Sequence, residues 1–358
     1  MSETNFTPYS EERAFSSRYR KNYLASVEKY LSRLEYEAEA KRASFIPPDA
    51  LASDAEGYRR AFLSMLGEPL RGYEAIRDVP VKCLESTAID GVFYDMDGGR
   101  YSMRRIRLDV LHGFEMYGIL FLPEGGADAP MPLVISQHGG AGTPELCSDF
   151  YGDTNYNHLT RRILSRGAAV FAPQLLLWNI NDFGDPYDRR QIDCGLKKLG
   201  SSITALEVFG IMRCIDWLAA QPFADPDRIG MAGLSYGGFY TLMTAAADTR
   251  IRAAYTSCAL IDMTRRRDFT DWMWDDSMNT FGEAEIAGLI APRAYCVDAG
   301  DNDDLFGSEG TVRTFGRAKE YYAAQGAEDN IFLKVFHGGH ELDPADDCFD
   351  FFFDRLMK

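Results

Sequence analysis

Apolar residues recur along this chain with two different periods, and the change from one to the other divides it. From position 9 to about 77 the period is helical. Tyr23, Leu24, Val27, Leu31 and Leu34 fall on one face. Pro47-Pro48 interrupts the pattern, and a second helix is expected over 55–66. From Val79 the spacing shortens to that of strands. The runs 101–110 and 115–123 flank Leu111-His-Gly-Phe114, which reads as a hairpin turn. Short apolar strands then alternate with helical stretches. A strand from Pro132 leads into a glycine-rich bend, a helix is expected over 157–166 and a buried strand over 168–173. A long irregular stretch, 175–199, is expected to wall a cleft. The capping-box pattern Thr204-Ala-Leu-Glu207 opens a helix to about Ala220, with Val208, Ile211, Met212 and Ile215 on its buried face.

Asp225 to Arg228 reads as a turn, 229–232 as a strand, 239–247 as a helix and 251–258 as a strand. The polar, tryptophan-bearing stretch 262–281 is expected to form helices over the cleft. A strand over 292–300, a helix over 309–325 and a strand over 330–336 follow, then a last helix capped by Asp343 with Pro344 at its first position. This β–α–β order predicts an α/β fold with a mostly parallel central sheet and helices on both faces. The chain thus reads as an N-terminal helical extension, 1–78, and an α/β domain, 79–358, which carries the candidate chemistry described below. The extension carries no recognisable chemistry. It is expected to pack on the core or on a neighbouring subunit, which makes a homo-oligomer through these helices a candidate assembly.

Composition narrows the setting. A hydrophobic share of 46% is ordinary for a globular domain, and no run approaches the roughly 20 apolar residues of a membrane span. The first residues have neither the basic nor the apolar region of a signal peptide. Seven cysteines, scattered and without a Cys-x-x-Cys pair, suit reduced thiols in a cytoplasm. A net charge of −16 argues against nucleic acid and anionic membranes as partners.

The candidate chemistry centres on Gly233-Leu-Ser-Tyr-Gly237, between the strand at 229–232 and the helix at 239–247. A strand that turns at once into a helix holds the serine between them in a sharp bend, and side chains two positions either side would collide. This is the pattern of a nucleophile elbow, with Ser235 as nucleophile. A serine hydroxyl needs a histidine base, a carboxylate to orient it, and donors for the oxyanion. In elbow hydrolases the acid and then the histidine follow the serine. Of five histidines only His337 and His340 do so. His337 is tied to the preceding strand, whereas His340 lies past two glycines on a loop free to swing, so His340 is preferred. Asp301, Asp303 and Asp304 follow the strand at 292–300. Asp301 suits a cap on its own turn, which leaves Asp303 preferred, then Asp301 and Asp304.

The oxyanion donors are expected from Tyr236, the residue after the serine, and from the bend His138-Gly-Gly-Ala-Gly142. There Gly139 and Gly140 are the candidates and Gly140 is the first choice. His138 is expected to hold that loop through its ring. Trp178 is a candidate for the substrate pocket, an aromatic there being equally suited to packing. The His337-x-x-His340 pair and the acidic run 301–304 lack the ligand sets of a zinc or calcium site.

Taken together, Gly-x-Ser-x-Gly, Gly-Asp-Asn-Asp303 and Gly-Gly-His340-Glu resemble the elbow, acid turn and histidine loop of the α/β-hydrolase superfamily. The phrase Asp227-x-Arg-Ile-Gly-x-x-Gly-x-Ser-x-Gly-Gly238 is similar to its acetyl xylan esterase, dienelactone hydrolase and prolyl oligopeptidase branches. The likeness covers about residues 100–358. It implies an α/β-hydrolase fold and a serine carboxyl-ester hydrolase of the acetyl-esterase type acting on a small-molecule ester, acetylated sugars included. No cofactor and no metal are expected. The oxyanion loop departs from the His-Gly-x-Gly-Gly of acetyl esterases, and serine stands where dienelactone hydrolases have cysteine. A small peptidase or amidase of the same fold is the alternative reading; a non-catalytic binding protein is the alternative of another class.

Overall fold

The computed structural model describes residues 9–126, 129–176, 187–267 and 272–358. Its N-terminal part is helical: α1 (Arg13–Phe45), α2 (Pro48–Ser53), α3 (Ala55–Leu66) and α4 (Tyr73–Ile76). Pro48 opens α2 at a position where its missing N–H costs nothing, and Asp54 caps α3 by accepting the Gly57 N–H at 2.9 Å. A meander follows, of β1 (Lys82–Tyr94), β2 (Arg100–Leu111) and β3 (Phe114–Pro123). Between β2 and β3, His112 and Gly113 both have positive φ, the turn geometry that matches strand twist in a two-residue hairpin.

Strands and helices then alternate: β4 (Met131–Gln137), α5 (Leu159–Leu164), β5 (Ala169–Pro173), α6 (Arg189–Lys198), α7 (Ile203–Ala219), β6 (Ala224–Leu234), α8 (Tyr236–Ala247) and β7 (Ile251–Ser257). Next come α9 (Ser277–Thr280), α10 (Glu283–Ile290), β8 (Ala294–Gly300), α11 (Ser308–Ala324), β9 (Ile331–Phe336) and α12 (Asp347–Leu356). Among the described residues, nine strands join one sheet in the order β1-β2-β3-β5-β4-β6-β7-β8-β9. The first three strands and the β3–β5 pair are antiparallel; β5-β4-β6-β7-β8-β9 is parallel throughout.

Because side chains alternate across a strand, the parallel strands feed two cores. Leu133, Ile135, Ile229, Met231 and Val297 face α7, α8, α10 and the α3 residues Phe62 and Leu66. Val134, Ala232, Leu234, Tyr255 and Cys296 face α5 and α12, which bring Ile163, Phe349, Phe352 and Leu356. The α3 helix is also pinned to the domain by Arg59, whose guanidinium donates to the carbonyls of Ala246 and Leu289, each at 3.0 Å.

Several local expectations change. Part of the stretch read as irregular is the regular helix α6, capped by Asp188. Ser202, not Thr204, caps α7, accepting the Ala205 N–H at 3.0 Å. The expected turn at Asp225 to Arg228 lies within β6. The last helix starts at Asp347 rather than at Pro344. Asp343 instead accepts the Ala345 N–H and pairs with Lys334. Among the described residues no helix is long and apolar enough to cross a membrane.

Candidate active site

Strand β6 ends at Leu234 and α8 begins at Tyr236, so Ser235 makes the whole turn. Its backbone sits at φ 59°, ψ −124°, a conformation L-residues adopt only under constraint. The constraint is visible on both sides. The Ser235 N–H donates to the Ser257 carbonyl of β7 at 2.8 Å, and its own carbonyl accepts from Phe239 at 2.9 Å. A Cβ on Gly233 would lie 2.5 Å from the Gly237 carbonyl, and one on Gly237 would lie 2.2 Å from the Gln137 carbonyl. Both glycines are there because backbone passes where a side chain would be.

The acid and histidine come from the ends of β8 and β9. His340 Nδ1 lies 2.8 Å from Asp303 Oδ2, while Asp303 Oδ1 accepts the N–H groups of Leu305 and Phe306 at 2.8 and 3.1 Å. Burial pushes the Asp303 carboxyl up, but the His340 bond and charge and the two N–H groups outweigh it. Its pKa therefore stays below the usual carboxylate range. Asp301 is used differently. It accepts the Gly338 N–H and lies 3.2 Å from Nδ1 of His337, whose side chain is 87% exposed. Asp304 is exposed.

Ser235 and His340 line one cavity of about 300 Å³. The histidine loop is held there from below. Asn155 donates to the His340 carbonyl and accepts from Leu342, and Asn157 donates to Glu341 and to the Leu342 carbonyl. Nothing in the sequence pointed to these two asparagines, because they lie some 185 residues from the loop they hold.

The glycine-rich bend separates its two candidates. The Gly139 N–H is spent on the Tyr156 hydroxyl at 2.6 Å, while the Gly140 N–H meets no protein acceptor among the described residues. His138 holds the bend as expected. Leu175 N–H donates to its Nε2 at 2.9 Å, so the ring proton sits on Nδ1 and is given to the Gly139 carbonyl at 2.7 Å. Burial lowers the His138 pKa to about 4, keeping it neutral.

Tyr236, the other expected donor, opens α8 with its side chain locked. Its hydroxyl donates to Glu207 at 2.9 Å and meets the Tyr240 hydroxyl at 2.8 Å; Arg189 lies 4.7 Å over its ring and 3.2 Å from Glu207. Glu207 is thus not a helix-capping residue as its sequence context suggested. It is a buried carboxylate beneath the elbow, its pKa raised by burial against the pull of Arg189.

The remaining cavity walls are largely apolar, with Leu146, Tyr156, Trp272, Leu305 and Phe306 among them. Trp178 lies outside the described residues. Trp272, from the stretch expected over the cleft, takes a place in the wall, while Trp274 is buried in the core. Donor atoms of Cys258, Asp303 and His340 lie within 4.8 Å of one another. However, Asp303 and His340 bond each other, and burial pushes the Cys258 thiol well up, so it stays protonated at neutral pH.

Residues 207–288, the elbow included, match the model of the prolyl oligopeptidase family. The chain is 27% identical over 246 residues to the putative hydrolase YtaP of Bacillus subtilis (strain 168), covering 64% of this chain and 80% of that protein. Among solved structures, a putative acetyl xylan esterase from Bacteroides fragilis superposes with TM-score 0.63 at 17% identity, over 86% of this chain and 82% of that one. A glucuronoyl esterase from Teredinibacter turnerae gives TM-score 0.61 at 16% identity, over 86% of each chain. Acetyl xylan esterase 1 from Thermoanaerobacterium sp. gives 0.56 at 15% identity, over 85% of this chain and 94% of that one. With the sheet order and the strand–serine–helix elbow already described, these likenesses make the chain a serine hydrolase of the α/β-hydrolase superfamily.

Proposed function

We propose that the protein hydrolyses carboxylic esters through Ser235, His340 and Asp303. His340 Nε2 takes the Ser235 proton as Oγ attacks the ester carbonyl, and the Gly140 and Tyr236 N–H groups receive the oxyanion. His340 then protonates the departing alcohol and activates a water that releases the acid. Asp303 keeps the imidazole in the working tautomer throughout. The observation that carries this reading is the joint one: a serine at φ 59° walls the same cavity as a histidine bonded at 2.8 Å to a buried aspartate. The ester preference, with acetylated sugars as candidate substrates, is supported by the esterases among the structural relatives.

The test is a covalent fluorophosphonate label together with a panel of acyl-length esters, acetylated sugars and peptide anilides. Labelling lost in Ser235→Ala and turnover of esters over anilides are expected. An unlabelled wild-type protein would leave the non-catalytic reading. Preference for anilides would favour the peptidase reading, for which the family match over 207–288 is the supporting observation.

The surroundings of the enzyme belong to the same proposal. Seven free thiols support a cytoplasmic setting. The aromatic face of α1 is proposed to pack on a second copy of the chain. Positions 13–33 carry six Arg or Lys against one Glu, in a chain of net charge −16 whose surface is complementary.

A further inference from the structure

Two N–H groups stabilise an oxyanion only if they aim at one point. The two candidates come from distant parts of the chain. Tyr236 opens α8 after β6, and Gly140 follows β4. Those strands are neighbours, with Gln137 paired to Gly233, so the bend and the elbow lie side by side. The elbow backbone is constrained at Ser235 on both sides. The bend His138-Gly-Gly-Ala-Gly142 holds three glycines, whose peptide planes turn readily. Strand pairing therefore sets where the bend lies but not which way the Gly140 N–H points.

A line of polar contacts joins the two donors, and Glu207 stands in its middle. On the elbow side, Glu207 Oε2 accepts the Tyr236 hydroxyl at 2.9 Å. On the other side, its Oε1 accepts the Leu176 N–H at 2.7 Å. Arg189 braces both, with Nη2 3.2 Å from Glu207 Oε2 and Nη1 donating to the Leu176 carbonyl. Leu175, next to Leu176, donates its N–H to His138 Nε2, and His138 Nδ1 donates to the Gly139 carbonyl. The Gly139 carbonyl and the Gly140 N–H belong to one planar peptide, so whatever orients the first orients the second.

Glu207 and Arg189 are deeply buried, their side chains 5% and 6% exposed. Leu176, Arg189 and Tyr236 all present donors to Glu207, and a carboxylate only accepts, whereas glutamine would turn an NH₂ towards one of them. Resting on the reading that the Gly140 and Tyr236 N–H groups receive the oxyanion, we infer that Glu207 is a positioning residue for both. It acts through Tyr236 at one end and through Leu176, Leu175 and His138 at the other. A buried ion pair is often no more stabilising than apolar groups of the same shape; this one orients the donors.

The experiment measures kcat, KM and the rate of fluorophosphonate labelling of Ser235 in the wild type, Glu207→Gln, Tyr236→Phe and the double variant. Circular dichroism and the unfolding midpoint establish that each is folded at the assay temperature. Losing a whole oxyanion donor costs about 10²–10³-fold in kcat, so misdirecting one should cost about 10–100-fold. KM should move by less than about twofold, because the oxyanion exists only after attack. Labelling should slow in step with kcat, since the phosphoryl oxygen occupies the same donors. The double variant should lose no more than the worse single one, because both changes cut one connection. A merely structural role would lower the unfolding midpoint and leave kcat unchanged in the folded variants. That result, a rise in KM in place of the fall in kcat, or losses that multiply, overturns the positioning role. Should Glu207→Gln not fold, Tyr236→Phe decides, since it keeps the Glu207–Arg189 pair and removes only the hydroxyl. If the wild type labels and turns over esters but the folded variants match it, positioning fails and the esterase reading stands. A wild type that neither labels nor turns over esters sinks the esterase reading and the positioning role with it.

Discussion

Two helices of this protein make an instructive pair. Every residue of α8, from Tyr236 to Ala247, is buried. Helix α1 is nearly three times as long, at 33 residues, and buries only Ala38 and Arg42. Both carry apolar residues at helical spacing. In α8 that spacing reflects packing: Phe239 and Leu242 sit in the larger core and the helix is wedged between the sheet and α10. In α1 it does not. Tyr23 is 73% exposed and Leu24 60%, and the helix is tied down near its C-terminal half, by Arg42 to Met278 and by Glu28 and Glu35 to Arg267. An apolar stripe says that a helix has a face to cover, and the tertiary structure says whether anything covers it.

The difference can be broken at either end. The largest effect is expected at the N-terminal edge of α8. Ser235→Ala should lower ester turnover by several orders of magnitude with the circular dichroism of the folded protein retained, since only binding and oxyanion stabilisation remain. Near-normal turnover would sink the mechanism. Next is the acid turn. Asp303→Asn should cost about 10⁴-fold in kcat, because an amide holds the wrong imidazole tautomer, whereas Asp301→Asn, whose partner His337 faces solvent, should stay close to wild type. Steady-state kinetics on one ester decides, and the reverse order would reassign the acid.

Stability effects are smaller and address the comparison itself. Phe239→Ala should destabilise by about 3–5 kcal/mol in urea unfolding, the cost of emptying a fully packed aromatic site. Leu24→Ser in α1 should cost no more than about 0.5 kcal/mol for an isolated chain. A larger loss that grows with protein concentration, matched by a dimer in sedimentation, would show that a second copy covers the face. A concentration-independent monomer would remove that proposal.

Much of the architecture was written locally. The short apolar runs at β4, β6, β7 and β8, the positive-φ turn at His112-Gly113 and the helices between strands follow from burial and sterics across a few residues. The elbow is likewise local: a glycine two places either side of Ser235 leaves little else that strand, serine and helix can do. Choices among similar residues were not local. Asp301 and Asp303 differ by two positions, yet one meets His337 in solvent and the other meets His340 in a cleft, across 36 and 37 residues of chain.

The same holds for Gly139 and Gly140, adjacent in the chain, of which only the first has its N–H claimed by Tyr156. Glu207 stood in a capping pattern and became the buried partner of Arg189 and Tyr236, because Ser202 already capped the helix. The sequence by itself determined most of the strands and helices and the strand–serine–helix turn at Ser235, since periodicity and turn sterics act over a few residues, though not α6 or the start of β6. Which carboxylate meets which histidine, which glycine N–H is claimed by Tyr156 and which helix face is covered was decided by the tertiary structure, because a hydrogen-bond partner or a covering surface is brought by folding from far along the chain.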